Sequence, residues 1–168
     1  MNPPSKADLA RAGAQLGEAL RAHKWRLATA ESSTGGLIGH AITMTPGASD
    51  YYVGGVICYS NLAKELALGV PHALIDAHGA VSEEVAAALA EGALLRFETE
   101  VGVSVTGIAG PDGGSARKPV GTHYVGVVRR GHPARVEHHV FGHDRNGNRF
   151  AAALAALELA FDEVSAAA

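Results

Sequence analysis

The chain has 168 residues, enough for one domain of ordinary size, and 47% of them are hydrophobic, which supplies a substantial core. Its formal net charge of -3 gives neither a basic surface for nucleic acid nor a polybasic patch for a membrane. The one cysteine, Cys58, excludes an internal disulfide. Because no signal peptide or long apolar run is present, we expect a cytoplasmic protein with a single domain over residues 1–168.

The first part of the chain alternates helix and strand patterns. Ser5 is placed as the N-cap of an amphipathic helix that reaches about His23. A short apolar run over residues 26–30 predicts a buried strand, and the polar turn at residues 31–36 follows it. A second helix is predicted from Leu37.

The middle of the chain continues this alternation. Residues 45–50 contain several helix breakers and predict a loop, and residues 53–59 predict a strand. A short helix is expected over residues 61–68, and a longer one, capped by Ser82, is expected to reach about Phe97.

The last third of the chain predicts a strand, a long loop, a hairpin and a closing helix. The strand covers residues 101–105, and the Gly/Pro-rich loop covers residues 106–119. The hairpin pairs residues 121–128 with residues 136–141, and the helix covers residues 148–164. Helices and strands mixed in this way predict an α/β fold with helices on both faces of the sheet, and the hairpin predicts a mixed sheet.

The first polar, glycine-containing turn can be interpreted as an anion-binding site or as an ordinary helix cap. Ser32, Ser33 and Thr34 stand before Gly35 and Gly36 at a predicted helix N-terminus. Backbone N–H groups and the helix dipole there favour a phosphate or carboxylate. The alternative is an ordinary N-cap, which the pattern alone favours, and no P-loop motif follows.

A second polar segment contains Ser49, Tyr59 and Lys64. A serine hydroxyl is a poor nucleophile until a base removes its proton. A lysine can be that base if burial lowers its pKa, and a tyrosine hydroxyl can relay the proton between them. From spacing alone, the alternative is a helix cap, a strand end and a solvated lysine, and spacing favours that alternative.

No pattern predicts a metal site. Asp112 lies in the long loop without a second acidic ligand nearby. His138 and His139 are adjacent on a predicted strand and therefore face opposite sides of it. They are not expected to bind one metal ion together with His143. Cys58 lies on a strand and is interpreted as a small core residue.

Longer motifs occur in order along almost the whole chain: AESSTGG at 30–36, PGAS at 46–49, GGVICYSNLAK at 54–64, LGV at 68–70, HGAVSEEV at 78–85, TGIAGPDGGSARKPVGT at 106–122 and the Asp144–Arg145 pair. Together they resemble the C-terminal domain of the competence-damage-inducible protein CinA, the nicotinamide-nucleotide amidase family. One departure is Ser33, because the family motif usually has a cysteine at that position.

The resemblance implies a three-layer α/β/α sandwich with a mixed central sheet. It implies hydrolysis of nicotinamide mononucleotide to nicotinate mononucleotide and ammonia, with Ser49 as nucleophile, Tyr59 and Lys64 as its catalytic partners, and no metal or other cofactor. The substrate-binding residues that it implies are Glu31, Ser32, Thr34, Gly35, Gly36, Asn61, Thr106, Gly107, Gly110 and Arg145.

The expected partner is therefore a small nucleotide rather than nucleic acid or a membrane, and relatives imply a homo-oligomer. Some relatives carry an additional N-terminal pyrophosphatase domain, and we expect that activity to be absent from a chain of this length. Two other functions stay open. One is a non-catalytic nucleotide-binding module, and the other is an interaction protein in competence or DNA repair.

Overall fold

The computed structural model describes residues 2–167. The helices of this range are α1 Lys6–His23, α2 Leu37–Thr43, α3 Asn61–Leu68, α4 His72–His78, α5 Glu83–Phe97 and α6 Arg145–Ser165. The strands are β1 Leu27–Glu31, β2 Tyr52–Ile57, β3 Val101–Gly107, β4 Thr122–Arg129 and β5 Arg135–Val140. Each helix of the described residues is too short or too polar to cross a lipid bilayer.

The five strands form one mixed sheet in the order β2-β1-β3-β4-β5. β1 runs parallel to both β2 and β3, and its pairing with β3 begins at Leu27 opposite Val101. β4 is antiparallel to β3 and to β5, which confirms the predicted hairpin and the mixed sheet. Because β1, β2 and β3 are parallel, the segments that follow them meet at one edge of the sheet.

Helices cover both faces of the sheet. On one face, residues of α1, α2 and α6 form a core with Val101, Val103 and Val105 of β3. On the other face, residues of α3, α4 and α5 pack against Ala28 and Ala30 of β1. Successive residues of a strand point to opposite faces, so this division follows from the alternation along β1 and β3. The predicted three-layer α/β/α architecture is confirmed.

The first helix begins as its sequence predicts. Ser5 Oγ accepts a hydrogen bond from Asp8 N at 3.3 Å, and Ser5 N donates to the Asp8 carboxylate at 2.9 Å, which completes a capping box. The Asp8 carboxylate also accepts from Ser5 Oγ at 2.6 Å, and this bond, the one from Ser5 N and one from Arg11 lower the pKa of Asp8 to about 2. Leu9, Leu16 and other apolar residues at helical spacing then bury one side of α1.

Two helices differ from the sequence-based prediction. α4, His72–His78, was not predicted, because its seven residues between Pro71 and Gly79 carry little apolar periodicity. α6 begins at Arg145 rather than at residue 148, since the Asp144 carboxylate accepts from Gly147 N at 2.7 Å and caps the helix. The earlier start places two arginines, Arg145 and Arg149, in the first turns of α6.

Candidate active site

A pocket of about 220 Å³ lies where the segments after β1, β2 and β3 meet. Ligands bind preferentially outside the carboxyl ends of parallel strands in α/β sheets. The residues that line the pocket are Ser32, Ser33, Tyr59, Asn61, Lys64, Ala80, Val81, Thr106, Gly107, Ala109 and Arg145. Five of the predicted substrate-binding residues are thus brought together with two of the three predicted catalytic residues: Ser32, Asn61, Thr106, Gly107, Arg145, Tyr59 and Lys64.

Lys64 is a buried lysine in the first turns of α3. Ser60 Oγ caps this helix by accepting from Ala63 N at 3.1 Å. The Lys64 side chain is only 1% exposed, and its Nζ lies 3.2 Å from Ser32 Oγ, 2.9 Å from the Cys58 carbonyl oxygen and 3.2 Å from the Tyr59 carbonyl oxygen. None of these three oxygen atoms belongs to a carboxylate.

Burial lowers the pKa of Lys64 below its ordinary value. A neutral amine carries two N–H groups and one lone pair. Two of the three neighbouring groups are carbonyls, of Cys58 and Tyr59, which only accept hydrogen bonds. If they take the two N–H groups, the lone pair faces Ser32 Oγ and accepts its proton. The geometry therefore suits Lys64 as a base toward Ser32.

Ser32 follows directly after β1 and is fixed by backbone hydrogen bonds. Its N–H donates to the Val105 carbonyl of β3 at 3.1 Å, and its carbonyl accepts from Gly35 N at 3.2 Å. These two bonds close a turn around Ser33 and Thr34 and leave Ser32 Oγ directed at Lys64 Nζ. A serine next to a base, held by a rigid backbone, is the arrangement that nucleophilic catalysis needs.

The turn after Ser32 is held by Arg149 of α6. Arg149 Nε donates to the Ser33 carbonyl at 3.0 Å, and Nη2 donates to the Thr34 carbonyl at 2.9 Å. Within residues 2–167, no protein atom accepts a hydrogen bond from Ser33 N or Thr34 N. Ser33 lines the pocket and Thr34 is fully buried outside it, so the Ser33 N–H is the backbone donor beside the serine hydroxyl that suits an oxyanion.

The predicted anion cradle at the start of α2 is already occupied by Glu31. One oxygen of its buried carboxylate accepts from Thr34 Oγ1 at 2.7 Å, Gly36 N at 3.0 Å and Ile38 N at 3.1 Å, and the other accepts from Gly39 N at 2.8 Å. An external phosphate would therefore meet a negative charge instead of unsatisfied N–H groups. Glu31, Thr34 and Gly36 hydrogen-bond to one another and do not line this pocket, so their contact with substrate stays a prediction that the pocket does not support.

Gly35 also lies outside the pocket lining, next to Arg149. It has a positive φ of 60°, and a Cβ atom there would lie 3.3 Å from Arg149 Nη2. Its role is to let the backbone turn beneath the guanidinium. A direct contact between Gly35 and substrate likewise stays a prediction that the pocket lining does not support.

Tyr59 and Arg145 form one side of the pocket. Arg145 Nη1 donates to the Gly110 carbonyl at 2.6 Å, and Nη2 donates to Tyr59 Oη at 3.2 Å. The Tyr59 side chain is 64% exposed, and it is the backbone carbonyl of this residue that contacts Lys64. The predicted proton relay through the Tyr59 hydroxyl is not assembled, because Lys64 reaches Ser32 directly. Gly110 supports Arg145 and does not line this pocket.

Ser49 lies at the opposite edge of the sheet. It belongs to a 3₁₀ turn, Ala48–Asp50, that precedes β2, whereas Tyr59 and Lys64 follow β2. β2 has 6 residues, so at about 3.3 Å per residue its ends lie about 17 Å apart. Ser49 does not reach Lys64, and the predicted Ser49–Tyr59–Lys64 trio is not formed. The serine that lies beside Lys64 is Ser32.

Thr106 and Gly107 close the floor of the pocket at the end of β3. Thr106 Oγ1 donates to the Ala80 carbonyl at 2.7 Å, which fixes the segment before α5. A Cβ atom at Gly107 would lie 2.1 Å from the His123 ring, so only glycine fits there. These two positions shape the pocket, and the Thr106 hydroxyl is already used within the protein.

Cys58 and Ser33 are the remaining polar side chains beneath the site. Burial raises the pKa of the Cys58 thiol, and its Sγ lies 3.6 Å from the Glu31 carbonyl, so the thiol stays protonated in the core. Ser33 Oγ is buried and has no hydrogen-bond partner among the described residues. The sequence placed Ser33 in the possible anion cradle, but neither Ser33 nor Arg149 was among the predicted site residues. For Arg149, the Asp144 cap was the available signal that the helix starts early.

Comparison with known proteins agrees with this architecture. The family model for the CinA C-terminal domain matches residues 10–164. A CinA-like protein from Salinibacter ruber is 52% identical over 145 residues, which are 86% of this chain and 35% of that protein. One from Syntrophobacter fumaroxidans is 50% identical over 144 residues, 86% of this chain and 34% of that protein. The chain thus spans about a third of the length of these curated relatives.

Solved structures give the same result. The competence/damage inducible protein CihA from Agrobacterium tumefaciens superposes with a TM-score of 0.90 at 34% identity, covering 98% of this chain and 99% of that one. A competence-damaged protein (CinA) superfamily protein from Escherichia coli gives a TM-score of 0.86 at 30% identity, with 92% and 90% coverage. The motifs, the fold and the matched family model agree, and the chain belongs to the CinA C-terminal domain family.

Proposed function

We propose that this chain is an amide hydrolase in which Ser32 is the nucleophile and Lys64 is the general base, and that it deamidates nicotinamide mononucleotide. The observation that carries the proposal is the 3.2 Å contact between Lys64 Nζ and Ser32 Oγ inside a pocket. A buried lysine without a carboxylate partner serves structure poorly, because its charged form loses hydration. The same burial lowers the pKa of the amine, so a larger fraction of it is neutral and able to accept a proton at a given pH.

In the first half of the proposed reaction, Lys64 Nζ takes the proton of Ser32 Oγ, and Oγ attacks the carboxamide carbon. The carbonyl π bond opens to an oxyanion, which the N–H group of Ser33 stabilises. The C–N bond then breaks, and the Lys64 ammonium returns a proton to the departing nitrogen. The products of this half are ammonia and an ester on Ser32.

In the second half, water replaces the amine. Lys64, neutral again, accepts a proton from the water as its oxygen attacks the ester carbon. The N–H group of Ser33 also stabilises the tetrahedral intermediate, whose collapse breaks the bond to Ser32 Oγ. Lys64 then returns the proton to the serine, and the carboxylic acid product gives its remaining proton to solvent and leaves as a carboxylate. Every proton is thus accounted for, and no redox step or metal is required.

The shape of the site supports a substrate with an anionic end. Arg145 borders both the pocket around Ser32 and an adjoining cavity of about 510 Å³, which Asp144, Asn146 and Pro111 also line. The small pocket suits the carboxamide and its ring, and the guanidinium of Arg145 suits a phosphate beyond them. Since Glu31 fills the start of α2, Arg145 is the better candidate for the phosphate contact.

The test is ammonia release from nicotinamide mononucleotide by the purified chain and by two serine variants. Ser32→Ala is expected to lower turnover by about 1,000-fold or more, since removal of a nucleophile leaves only binding and oxyanion stabilisation. Ser49→Ala is the matched control and is expected to keep wild-type turnover. Retained activity in Ser32→Ala, or loss confined to Ser49→Ala, would contradict the assignment.

The same assay separates catalysis from binding alone. A non-catalytic nucleotide-binding module would show a higher melting temperature with nicotinamide mononucleotide and no ammonia. An amidase shows product formation, and Ser32→Ala still binds the nucleotide without consuming it. Because Ser32→Ala changes one buried hydroxyl, its circular-dichroism spectrum is expected to match that of the wild type.

A further inference from the structure

Arg149 contacts the turn after Ser32, and the proposed reaction gives it no role. We infer that it is a positioning residue that sets the orientation of the peptide groups after Ser32 and thereby creates the oxyanion site. The inference rests on the proposed function in that it takes Ser32 as the nucleophile. It does not depend on which amide is the substrate.

The contacts of Arg149 are made to main-chain oxygens. Nε donates to the Ser33 carbonyl at 3.0 Å and Nη2 donates to the Thr34 carbonyl at 2.9 Å, so one planar group holds two successive peptides. Nη1 donates to Asn146 Oδ1 at 3.3 Å, which fixes the guanidinium against its own helix. Arg149 does not line the pocket around Ser32, so it acts from behind the turn.

Holding a carbonyl also fixes an N–H group. In a trans peptide the C=O and the following N–H point in opposite directions. The only cis bond among the described residues joins Gly110 and Pro111, so the Ser33–Thr34 peptide is trans. With the Ser33 carbonyl held by Arg149, the Thr34 N–H points away from the guanidinium. If the carbonyl rotated inward, it would present a negative dipole where the oxyanion forms.

The other peptides of the turn are fixed by separate bonds. The Ser32 carbonyl accepts from Gly35 N at 3.2 Å, which directs the Ser33 N–H away from that bond. Within residues 2–167, neither Ser33 N nor Thr34 N has a protein acceptor. Ser33 lines the pocket whereas Thr34 is fully buried outside it, so the Ser33 N–H is the donor available beside Ser32. Arg149 orients this donor indirectly, because it holds the Thr34 carbonyl and the N–H of the same peptide, that of Gly35, holds the Ser32 carbonyl.

The chain contains a natural control in Arg21. Arg21 Nη2 donates to the Pro46 and Gly47 carbonyls at 3.2 and 2.8 Å, so it also holds two successive peptides of a loop from a neighbouring helix. That loop lies at the opposite edge of the sheet from Ser32. Arg21→Ala therefore removes the same kind of contact without touching the turn that follows β1.

The experiment measures covalent labelling of Ser32 by a fluorophosphonate, a reagent that needs no natural substrate. Ser32 Oγ forms a bond to phosphorus, the P–F bond breaks, fluoride leaves, and Lys64 accepts the serine proton. The phosphoryl oxygen then occupies the oxyanion site. The second-order rate constant is measured against pH for the wild type, Arg149→Ala, Arg149→Lys and Arg21→Ala, with the modified peptide identified by mass spectrometry.

Arg149→Ala is expected to slow labelling by about 100-fold, the typical loss for an oxyanion donor. Arg149→Lys, which can hold only one carbonyl, is expected to fall between it and the wild type. Arg21→Ala is expected to stay within about twofold of the wild type. The pH midpoint of labelling is expected to be the same in all of them, because the contacts of Lys64 are unchanged.

Wild-type labelling rates in both Arg149 variants would overturn the inference. So would an equal loss in Arg21→Ala, or a shifted pH midpoint in Arg149→Lys, since either result indicates general disturbance of the fold. Absence of labelling at Ser32 in the wild type would overturn it together with the Ser32 assignment. If the wild type is labelled at Ser32 but releases no ammonia from nicotinamide mononucleotide, only the proposed substrate fails.

Discussion

Lys64 shows how one buried side chain determines the pH dependence of the site. Burial lowers its pKa from the ordinary value of 10.5, so the neutral base becomes available below that pH. We expect kcat for ammonia release to rise with pH through a midpoint below 10.5 and to level off above that midpoint. The pH–rate profile of kcat measures this directly. A flat profile, or one that still rises beyond 10.5, would contradict the role of Lys64.

Replacing the base without removing its charge gives a second test at the same residue. Lys64→Arg keeps a cation, but a guanidinium stays protonated and cannot accept the serine proton. The expected result is a loss of about 100-fold or more in kcat at every pH between 6 and 10. Lys6→Arg, a change on the first turn of α1, serves as the control and is expected to leave kcat unchanged. Substantial activity in Lys64→Arg would exclude general-base catalysis by this residue.

Ser33 is expected to lower the stability of the protein, because its hydroxyl is buried without a hydrogen-bond partner. An unsatisfied buried hydroxyl costs about 1–3 kcal/mol, and a thiol loses less on desolvation. Ser33→Cys is therefore expected to raise the free energy of unfolding by about 1 kcal/mol. Ser104→Cys is the matched control and should be destabilising, because Ser104 Oγ donates to the Ala86 carbonyl at 2.6 Å. Urea denaturation measures both, and equal destabilisation of the two variants would contradict the argument.

At the scale of elements, the start of α2 is stabilised by a carboxylate of the chain itself. Glu31 accepts four hydrogen bonds from Thr34, Gly36, Ile38 and Gly39. Glu31→Gln leaves one acceptor oxygen and replaces the other by an NH2 group, which faces hydrogen-bond donors. The free energy of unfolding is therefore expected to fall by about 2–3 kcal/mol. Thr34→Val, which removes one of the four bonds, should cost about 1 kcal/mol.

Urea denaturation and the KM for nicotinamide mononucleotide distinguish this structural role from substrate binding. If Glu31 caps α2, stability falls in Glu31→Gln, and Thr34→Val shows a smaller loss of the same kind. If Glu31 instead contacts substrate, KM rises and the unfolding curve stays that of the wild type. The second pattern would contradict the capping role.

The elements that the sequence predicted correctly are those with a strong local signal. α1 has a capping box, and α3 has the serine cap Ser60 and a terminal glycine, so both were placed within a residue of their observed limits. α4 lacked such a signal because its seven residues bury chiefly Ile75. The start of α6 was missed because Gly147 and two asparagines are poor helix formers, and only the Asp144 cap and tertiary packing make that turn helical.

At the scale of the whole molecule, the choice between Ser32 and Ser49 depends on sheet polarity. Both serines stand beside apolar strands, and local sequence does not distinguish them. In a parallel sheet, however, residues before and after a strand lie at opposite edges. Ser32 follows β1 and Lys64 follows β2, whereas Ser49 precedes β2. The order of these residues and strands along the chain therefore distinguishes the two serines. The hydrogen bonds from Arg149 to Ser33 and Thr34, which are 116 and 115 residues away, depend instead on packing that no local pattern predicts.

The buried lysine also links the site to the stability of the whole protein. In the unfolded chain Lys64 has its ordinary pKa near 10.5, and in the folded chain burial lowers it. Between those two pKa values the unfolded state binds more protons, so the free energy of unfolding rises with pH and the gain is complete near 10.5. Below the folded pKa, the native state keeps a buried charge and is destabilised by it. Lys64→Met removes this titration and approximately keeps the side-chain length.

The measurable quantity is the difference in free energy of unfolding between the wild type and Lys64→Met. It is obtained from urea denaturation at several pH values between 7 and 10, since other groups titrate alike in both proteins and cancel. We expect the free energy of unfolding of the wild type to increase relative to that of Lys64→Met as pH rises. A difference that stays constant, or that falls with pH, would mean that Lys64 is not forced toward its neutral form by folding. In that case the base needed by Ser32 would have to come from another group.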